Sequence, residues 1–236
     1  MRRAVAFLTP LPVGHATPTS STFDWFPLVG ALIGLAVGGT WWAADRAFPP
    51  AVAAAVVIVA DLALTGMLHV DGLADSADGL LPHLPSRERR LEVMAAPDVG
   101  AFGVAATAGV LLLRYAALAS QTVSVLLIAG LWCASRTVMA VAARVGPYAR
   151  GEGGLASAFA GGDWRPVGLY GLIAAVSLGA FADGRRTEVA VGAGIAAGAL
   201  VIVFARRRLG GYTGDVLGAA GMITETVGLV VAAAKW

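Results

Sequence analysis

The chain contains one dense acidic motif, HVDGLADSADG, at residues 69 to 79. Its carboxylates Asp71, Asp75 and Asp78 stand at i, i+4 and i+7, so on an α-helix they project within about 60° of one another. Like charges repel by about 1 kcal/mol per pair at 4 Å in water, and by about 4 kcal/mol at an effective dielectric constant of 20. Because Mg²⁺ prefers oxygen ligands and completes its shell with phosphates and water, the motif predicts a metal site. A solvated acidic loop is the alternative.

A second motif, RRRLGGYTGDVLGAAGMITE, occupies residues 206 to 225 and combines glycines with two acids. Backbone N–H groups near Gly214 and the N-terminus of the helix after it can bind an anion. Asp215 can contribute to a phosphate or metal site, or it can simply cap that helix. Glu225 lies deeper in an apolar stretch, where an acid usually faces the bundle interior or a wet cavity.

A third motif, SRTVMAVAARVGPYARGEGG at residues 135 to 154, supplies cationic and aromatic candidates. Arginine forks suit phosphate oxygens and stay charged at any relevant pH, so Arg136 and Arg150 are candidate anion ligands. Arg136 can equally neutralise Asp61 or Glu225 inside the protein. Tyr148 precedes Arg150 in the same connection.

A polar stripe leads into the acidic motif. Asp61, Thr65 and His69 follow i, i+4 spacing, which places them on one face of a helix and predicts that they point to the bundle interior. His69 is a candidate base or ligand, and a hydrogen-bonded interior histidine is an equal alternative.

The elements that must position these residues are apolar helices. Of 236 residues, 58% are hydrophobic and 14% charged, and the mean hydropathy is +0.76, whereas a soluble domain is about 25% charged. A transmembrane helix needs about 20 apolar residues. We therefore predict an all-α, polytopic membrane bundle forming one domain over residues 1–236. Seven stretches approach the required length: 26–44, 51–69, 101–119, 122–143, 166–182, 188–205 and 215–234.

The distribution of basic residues predicts the orientation, because cytoplasmic loops attract Lys and Arg. With the N-terminus inside, four basic residues fall outside: Arg46, Arg185, Arg186 and Lys235. Eleven fall on the cytoplasmic side: Arg2, Arg3, Arg87, Arg89, Arg90, Arg144, Arg150, Arg165, Arg206, Arg207 and Arg208. The two longest connections, 70–100 and 144–165, then face the cytoplasm, and so does the predicted site. A net charge of +2 without a basic arm argues against a nucleic-acid partner.

Taken together, the motifs resemble those of the adenosylcobinamide-GDP ribazoletransferase (cobalamin synthase) family. The resemblance runs through most of the chain. The segments that resemble the family are FLTPLPVG at 7–14, FPLVGALIG at 26–34, LTGMLHVDGLADSADGL at 64–80, SRTVMAVAARVGPYARGEGG at 135–154 and GGYTGDVLGAAGMITE at 210–225.

The resemblance implies a magnesium-dependent enzyme of the cytoplasmic (inner) membrane. Its substrates are expected to be adenosylcobinamide-GDP and α-ribazole or α-ribazole 5′-phosphate, with GMP released. The implied metal and diphosphate ligands are Asp71, Asp75, Asp78 and Asp215. The implied substrate-binding residues are Arg136, Tyr148, Arg150, Gly214 and Glu225. His69 and Asp78 are the candidate catalytic bases. The lipid bilayer is the expected environment, and the oligomeric state, including a homo-oligomer, stays open.

Two other classes compete with this interpretation. CDP-alcohol phosphotransferases also place D-x-x-D-G at a membrane face, and Asp75, Asp78 and Gly79 match that fragment, but the rest of their motif does not follow. A transporter is the second alternative, because Asp61, Arg136 and Glu225 lie within apolar stretches. Transporters often carry an internal repeat, and this sequence shows no convincing one.

Overall fold

The structure, a computed structural model, describes residues 1–14, 19–150 and 162–235 of the chain. These residues form α-helices, one short 3₁₀ helix at Ser20–Trp25, and connecting turns. In chain order the α-helices are α1 (Arg2–Leu8), α2 (Phe26–Ala47), α3 (Pro50–Leu64), α4 (Leu68–Leu80), α5 (Arg87–Val93), α6 (Ala101–Ala119), α7 (Val125–Val145), α8 (Trp164–Asp183), α9 (Arg185–Leu209) and α10 (Gly214–Ala232).

Six helical segments are long and apolar enough to cross a membrane, namely α2 with the 3₁₀ turn before it, α6, α7, α8, α9 and α10. The pair α3 and α4 passes the same test only when the two are taken together. The predicted all-α multi-pass bundle is therefore confirmed. The bent pair α3–α4 brings the possible crossings to seven, since α2 and α6 both begin at the same end of the bundle and the chain must return between them. Helix α4 lies beyond the break, at the end where α6 begins.

The second predicted span, 51–69, is not one straight helix. Helix α3 ends at Leu64, and α4 leaves it at an angle of 89°. Gly66 and Met67 take the left-handed conformation at φ 59° and 58°, which ends the i to i−4 hydrogen bonding. The break releases α4 from the direction of α3, and α4 packs instead on α6 and α10.

Helix α7 is the centre of the bundle and is mostly buried beneath α2, α8, α9 and α10. Glycines let α2 approach it closely, as their spacing predicts. A Cβ on Gly30 would lie 2.5 Å from the Trp132 carbonyl oxygen, and one on Gly34 would lie 2.7 Å from the Ala129 Cα. Backbone contact of this kind replaces the hydrophobic drive that is missing in lipid.

We expect Gly34→Ala to destabilise the bundle by about 1–3 kcal/mol, because its methyl group would overlap the α7 backbone. Gly39 on the same helix is a matched control, since a Cβ there meets no atom of the described residues within 4 Å. Gly39→Ala should leave the unfolding temperature unchanged or raise it slightly. Thermal unfolding in detergent compares the two, and equal midpoints would contradict the close α2–α7 contact.

Candidate active site at the arginine-rich end of the bundle

The acidic helix α4 lies directly against the start of α10. Gly72 makes this contact possible, because a Cβ there would sit 2.7 Å from the carbonyl oxygen of Asp215. The packing brings the carboxylates of Asp71 and Asp75, on α4, within electrostatic range of that of Asp215, on α10. The acids of the first and second motifs, far apart in sequence, therefore meet at one end of the bundle.

Asp75 interacts electrostatically with Asp71, Asp215 and Arg150. Burial raises its pKa to about 6, and the negative charges of Asp215 and Asp71 contribute to that rise against the opposing effect of Arg150. A group in this position holds its charge poorly unless a cation lies beside it. The position thus favours a positively charged ligand.

Asp78, one helical turn after Asp75, binds the N-terminus of α6. Its two carboxylate oxygens accept hydrogen bonds from the backbone N–H groups of Gly100, at 2.7 Å, and Gly103, at 2.9 Å. Both glycines are required by the contact, because a Cβ on either would overlap the carboxylate. A negative charge here also complements the helix dipole. The metal-binding and catalytic roles of Asp78 stay predictions beside this visible capping role.

We expect Asp78→Ala to destabilise the protein by about 1–2 kcal/mol, since α6 would lose the acceptor for two N–H groups. Differential scanning calorimetry in detergent measures the shift. The exposed Asp98, in the loop before α6, provides a matched control as Asp98→Ala. If Asp78 is also catalytic, GMP release will fall at temperatures where the variant is fully folded. An unchanged unfolding temperature would contradict the capping role.

The second and third motifs pair with each other through a short parallel β-bridge between Tyr148 and Tyr212. The Ala149 N–H donates to the Tyr212 carbonyl at 2.8 Å, and the Tyr212 N–H donates to the Pro147 carbonyl at 3.1 Å. Glycine is needed at Gly211, because a Cβ there would overlap the Pro147 oxygen. The two tyrosine rings meet edge to face, with centroids 5.7 Å apart.

This pairing carries Arg150 to the carboxylate cluster. Its guanidinium donates to the Asp215 carboxylate at 2.9 Å, and both side chains remain partly exposed. Thr213, not Asp215, caps α10, because its hydroxyl accepts the Val216 N–H at 3.2 Å. The capping alternative for Asp215 is therefore wrong, and its carboxylate is directed to Arg150. Gly214 leaves the helix start open, since a Cβ there would meet none of the described atoms within 4 Å.

Arg136 and Glu225 lie elsewhere, in an ion cluster buried within the bundle. Arg136 pairs with Glu225, which also accepts a hydrogen bond from Arg114 at 2.5 Å. Arg114 in turn binds Asp61 at 3.0 Å, and the Trp132 indole N–H donates to Asp61 at 2.9 Å. Two guanidinium groups and two carboxylates balance, so the alternative that Arg136 neutralises a buried acid matches this arrangement. The substrate-binding role of Arg136 and Glu225 stays a prediction, and both side chains are buried.

His69 is buried between α4 and α10, where its backbone lies under Gly218. Among the residues that the structure describes, no hydrogen-bond partner contacts its Nε2 atom. Asp61 and Thr65 are buried as well, as the polar stripe predicts. The stripe is nevertheless split by the left-handed residues Gly66 and Met67, which break the helix between Thr65 and His69.

The carboxylate oxygens of the cluster are ligands that Mg²⁺ prefers, but the geometry limits how many of them can bind one ion. In the described parts of the chain, no three His, Cys, Asp or Glu side chains converge closely enough to hold a metal ion. Mg²⁺ is commonly bound through one or two carboxylates, with waters and substrate phosphates completing the shell. Asp71 and Asp75 supply such carboxylates, and the nearby guanidinium of Arg150 is already paired with Asp215.

The RERRLE run at 87–92 is a feature that the sequence motifs did not assign to the site. Arg90 is buried and donates to the carbonyls of Gly79, at 2.8 Å, and Pro82, at 3.1 Å, which fixes the C-terminal end of α4. Arg87 donates to the Ala149 carbonyl at 2.6 Å and so holds the connection that carries Arg150. In the sequence, the high density of arginine soon after the acidic motif was the feature that could have assigned this run to the site.

Comparison with known proteins covers nearly the whole chain. A family profile described as cobalamin-5-phosphate synthase matches residues 1–233, which include every motif of the site. The chain belongs to the cobalamin-5-phosphate synthase family. Membership confirms the resemblance seen in the motifs and makes the chain a transferase. The match includes both ends of the bundle, since it extends from α1 to the end of α10.

Curated relatives of this synthase family agree. Proteins named adenosylcobinamide-GDP ribazoletransferase match from Chlorobium chlorochromatii, with 36% identity over 92% of this chain and 88% of the relative. The relative from Chlorobium phaeobacteroides is 37% identical over 95% of this chain and 93% of its own length. The relative from Pseudomonas paraeruginosa is 38% identical over 98% of this chain and 96% of its own length. No solved structure matches the fold.

Proposed function

We propose that this synthase transfers the cobinamide-bearing phosphoryl group of adenosylcobinamide-GDP to α-ribazole or α-ribazole 5′-phosphate, releasing GMP. The names of the curated relatives support this reaction. The observation that carries the site assignment is the meeting of Asp71 and Asp75 with Arg150 and the open start of α10. Three segments distant in sequence thereby contribute carboxylates, a guanidinium and a helix N-terminus to one surface.

The residues of this surface can bind and orient a diphosphate. Arg150 is partly exposed beside Asp215, so an incoming diphosphate meets a guanidinium fork and the α10 N-terminus together. Tyr148, half-buried next to Arg150, offers a ring to a base or to the corrin edge. Bound Mg²⁺, held by Asp71 and Asp75, would neutralise charge on the phosphates and the leaving GMP. Asp215 is the candidate for a second metal or phosphate contact.

The proton from the attacking ribazole hydroxyl needs an acceptor, and the sequence offers His69 and Asp78. The Nε2 atom of His69 has no hydrogen-bond partner among the described residues, but the side chain is buried beneath α10. Asp78 lies one helical turn from Asp75 on α4 and is engaged with α6. Each oxygen of Asp78 accepts one N–H, so a second lone pair remains to take a proton, and protonation would weaken the bonds to α6.

We place the site at the cytoplasmic side of the inner membrane. Arg144, Arg165 and the run Arg206–Arg208 lie at helix ends on the same side of the bundle as the site, and Arg150 lies in the connection after α7. Basic residues concentrate on the cytoplasmic side of membrane proteins, which supports this orientation. GDP-linked cobinamide and ribazole are soluble cytoplasmic metabolites in this scheme, and they reach the site without crossing the bilayer.

The reaction is tested by incubating detergent-purified protein with adenosylcobinamide-GDP and α-ribazole, with Mg²⁺ and with EDTA. GMP and cobalamin are quantified by chromatography. We expect equimolar GMP and cobalamin that require Mg²⁺. Folded protein that releases no GMP would overturn the proposed reaction, and turnover in EDTA would overturn only the metal requirement.

A further inference from the structure

An apolar groove of about 950 Å³ opens between α7, α8 and α9, apart from the carboxylate site. Almost all of its wall is aliphatic or aromatic. The side chains that line it include Val141, Val145, Leu169, Leu172, Ile195 and Ile202. Leu169 and Leu172 are exposed large hydrophobic residues in the protein alone. A groove of this composition in a membrane bundle is suited to a hydrocarbon chain.

The length of the groove matches one leaflet. On α9 it extends from Arg206 to Ile195, eleven residues apart, which is about 16 Å at 1.5 Å per residue. Half of a bilayer core is about 15 Å thick. The groove therefore begins at the arginine-rich end of the bundle and ends near the membrane midplane.

The mouth of the groove is cationic. Arg165, in the first turn of α8, and Arg206, in the last turn of α9, both line it, and both are exposed. Within the described parts of the chain neither arginine forms an ion pair, whereas the nearby Arg144 is paired with Asp24. Trp164 also lines this end, and tryptophan is enriched at the membrane interface. Two guanidinium groups above an apolar channel complement an anionic head group on an acyl chain.

We propose that this groove binds one anionic phospholipid of the adjacent leaflet, with an acyl chain between α8 and α9 and its phosphate on Arg165 and Arg206. A soluble phosphate would satisfy the arginines but leave the apolar wall uncovered. A zwitterionic lipid would fill the groove but offer the mouth no net negative charge. The lipid joins α8 and α9 to α7 in a region where those helices leave a gap.

Native mass spectrometry of the full chain in detergent tests this with phosphatidylglycerol and phosphatidylcholine as probes. We expect retained phosphatidylglycerol, with affinity falling about fivefold for each arginine removed in Arg165→Gln and Arg206→Gln. Ala199→Phe, which fills the groove wall, should reduce retention of both lipids. The matched control Arg89→Gln/Arg207→Gln removes two charges from the same end of the bundle but none from the groove.

Equal retention of the two lipids, or an equal loss in the control, would overturn the proposal by reducing the effect to general surface charge. Glycerol 1-phosphate is added as a soluble competitor. Displacement of the lipid by millimolar glycerol 1-phosphate would overturn the role of the acyl chain. Displacement by adenosylcobinamide-GDP would overturn the lipid assignment and give the groove to the substrate.

Discussion

Asp75→Asn is expected to lower kcat for GMP release by on the order of 10²- to 10³-fold, with little change in the unfolding temperature. The carboxylate is partly exposed between Asp71 and Asp215, and those charges oppose its ionisation rather than stabilise the fold. Replacing it with a neutral amide relieves repulsion but removes an anionic oxygen ligand. The loss should therefore appear in catalysis and in magnesium affinity.

The measurement is steady-state GMP release over a range of Mg²⁺ concentrations. Asp45→Asn is the matched control, because Asp45 is exposed near the other end of the bundle, in the last turn of α2, and should leave turnover unchanged. Partial recovery of Asp75→Asn at high Mg²⁺ is expected if the carboxylate acts as a metal ligand. Wild-type kcat in the variant would remove α4 from the proposed site.

Glu225→Gln is expected to destabilise the protein by about 3–5 kcal/mol. Glu225 is the carboxylate shared by Arg114 and Arg136, and all three side chains are buried. Its neutralisation leaves two buried guanidinium groups facing the single charge of Asp61. A loss this large is a substantial fraction of the total stability of an ordinary domain. Thermal unfolding in detergent measures it.

A double variant separates charge balance from side-chain shape. In Arg136→Met/Glu225→Leu one cation and one anion leave together, so Arg114 and Asp61 remain as a balanced pair. We expect it to be more stable than Glu225→Gln, because no unpaired buried charge remains. Glu92→Gln, which breaks the exposed Arg89–Glu92 pair, should change stability by less than about 1 kcal/mol. Equal destabilisation by the single and double variants would contradict a charge-balancing role.

The sequence predicted which residues belong to the site, but not which segments of the chain contact one another there. Helical spacing put Asp71 and Asp75 on one face, and the connections placed Tyr148 and Arg150 at the same membrane side. Their meeting with Asp215 depends on the fit of Gly72 against α10 and of Gly211 against Pro147. A glycine in a sequence shows that close approach is allowed, but it does not show which backbone approaches.

Arg136 and Arg150 illustrate the limit of prediction from residue type. Both are arginines in one motif, and either could serve as an anion ligand. One lies inside α7 against Glu225, whereas the other lies in a connection against Asp215. Hydropathy placed Arg136 within a span, which allowed the internal ion pair as an alternative. The choice of partner required the packing of α7 on α10.

Composition and periodicity by themselves determined the helical class, the multi-pass character and the face shared by Asp71 and Asp75, because helix length and residue spacing are local properties. Only the tertiary structure decided that the chain breaks after Leu64 and turns α4 by 89° onto α6 and α10. That turn carries the whole acidic helix, so that Asp75 comes near Asp215 on α10 while Asp78 binds the N-terminus of α6. The direction of a helix after a break is set by the surfaces on which it packs, and those surfaces come from segments distant in sequence.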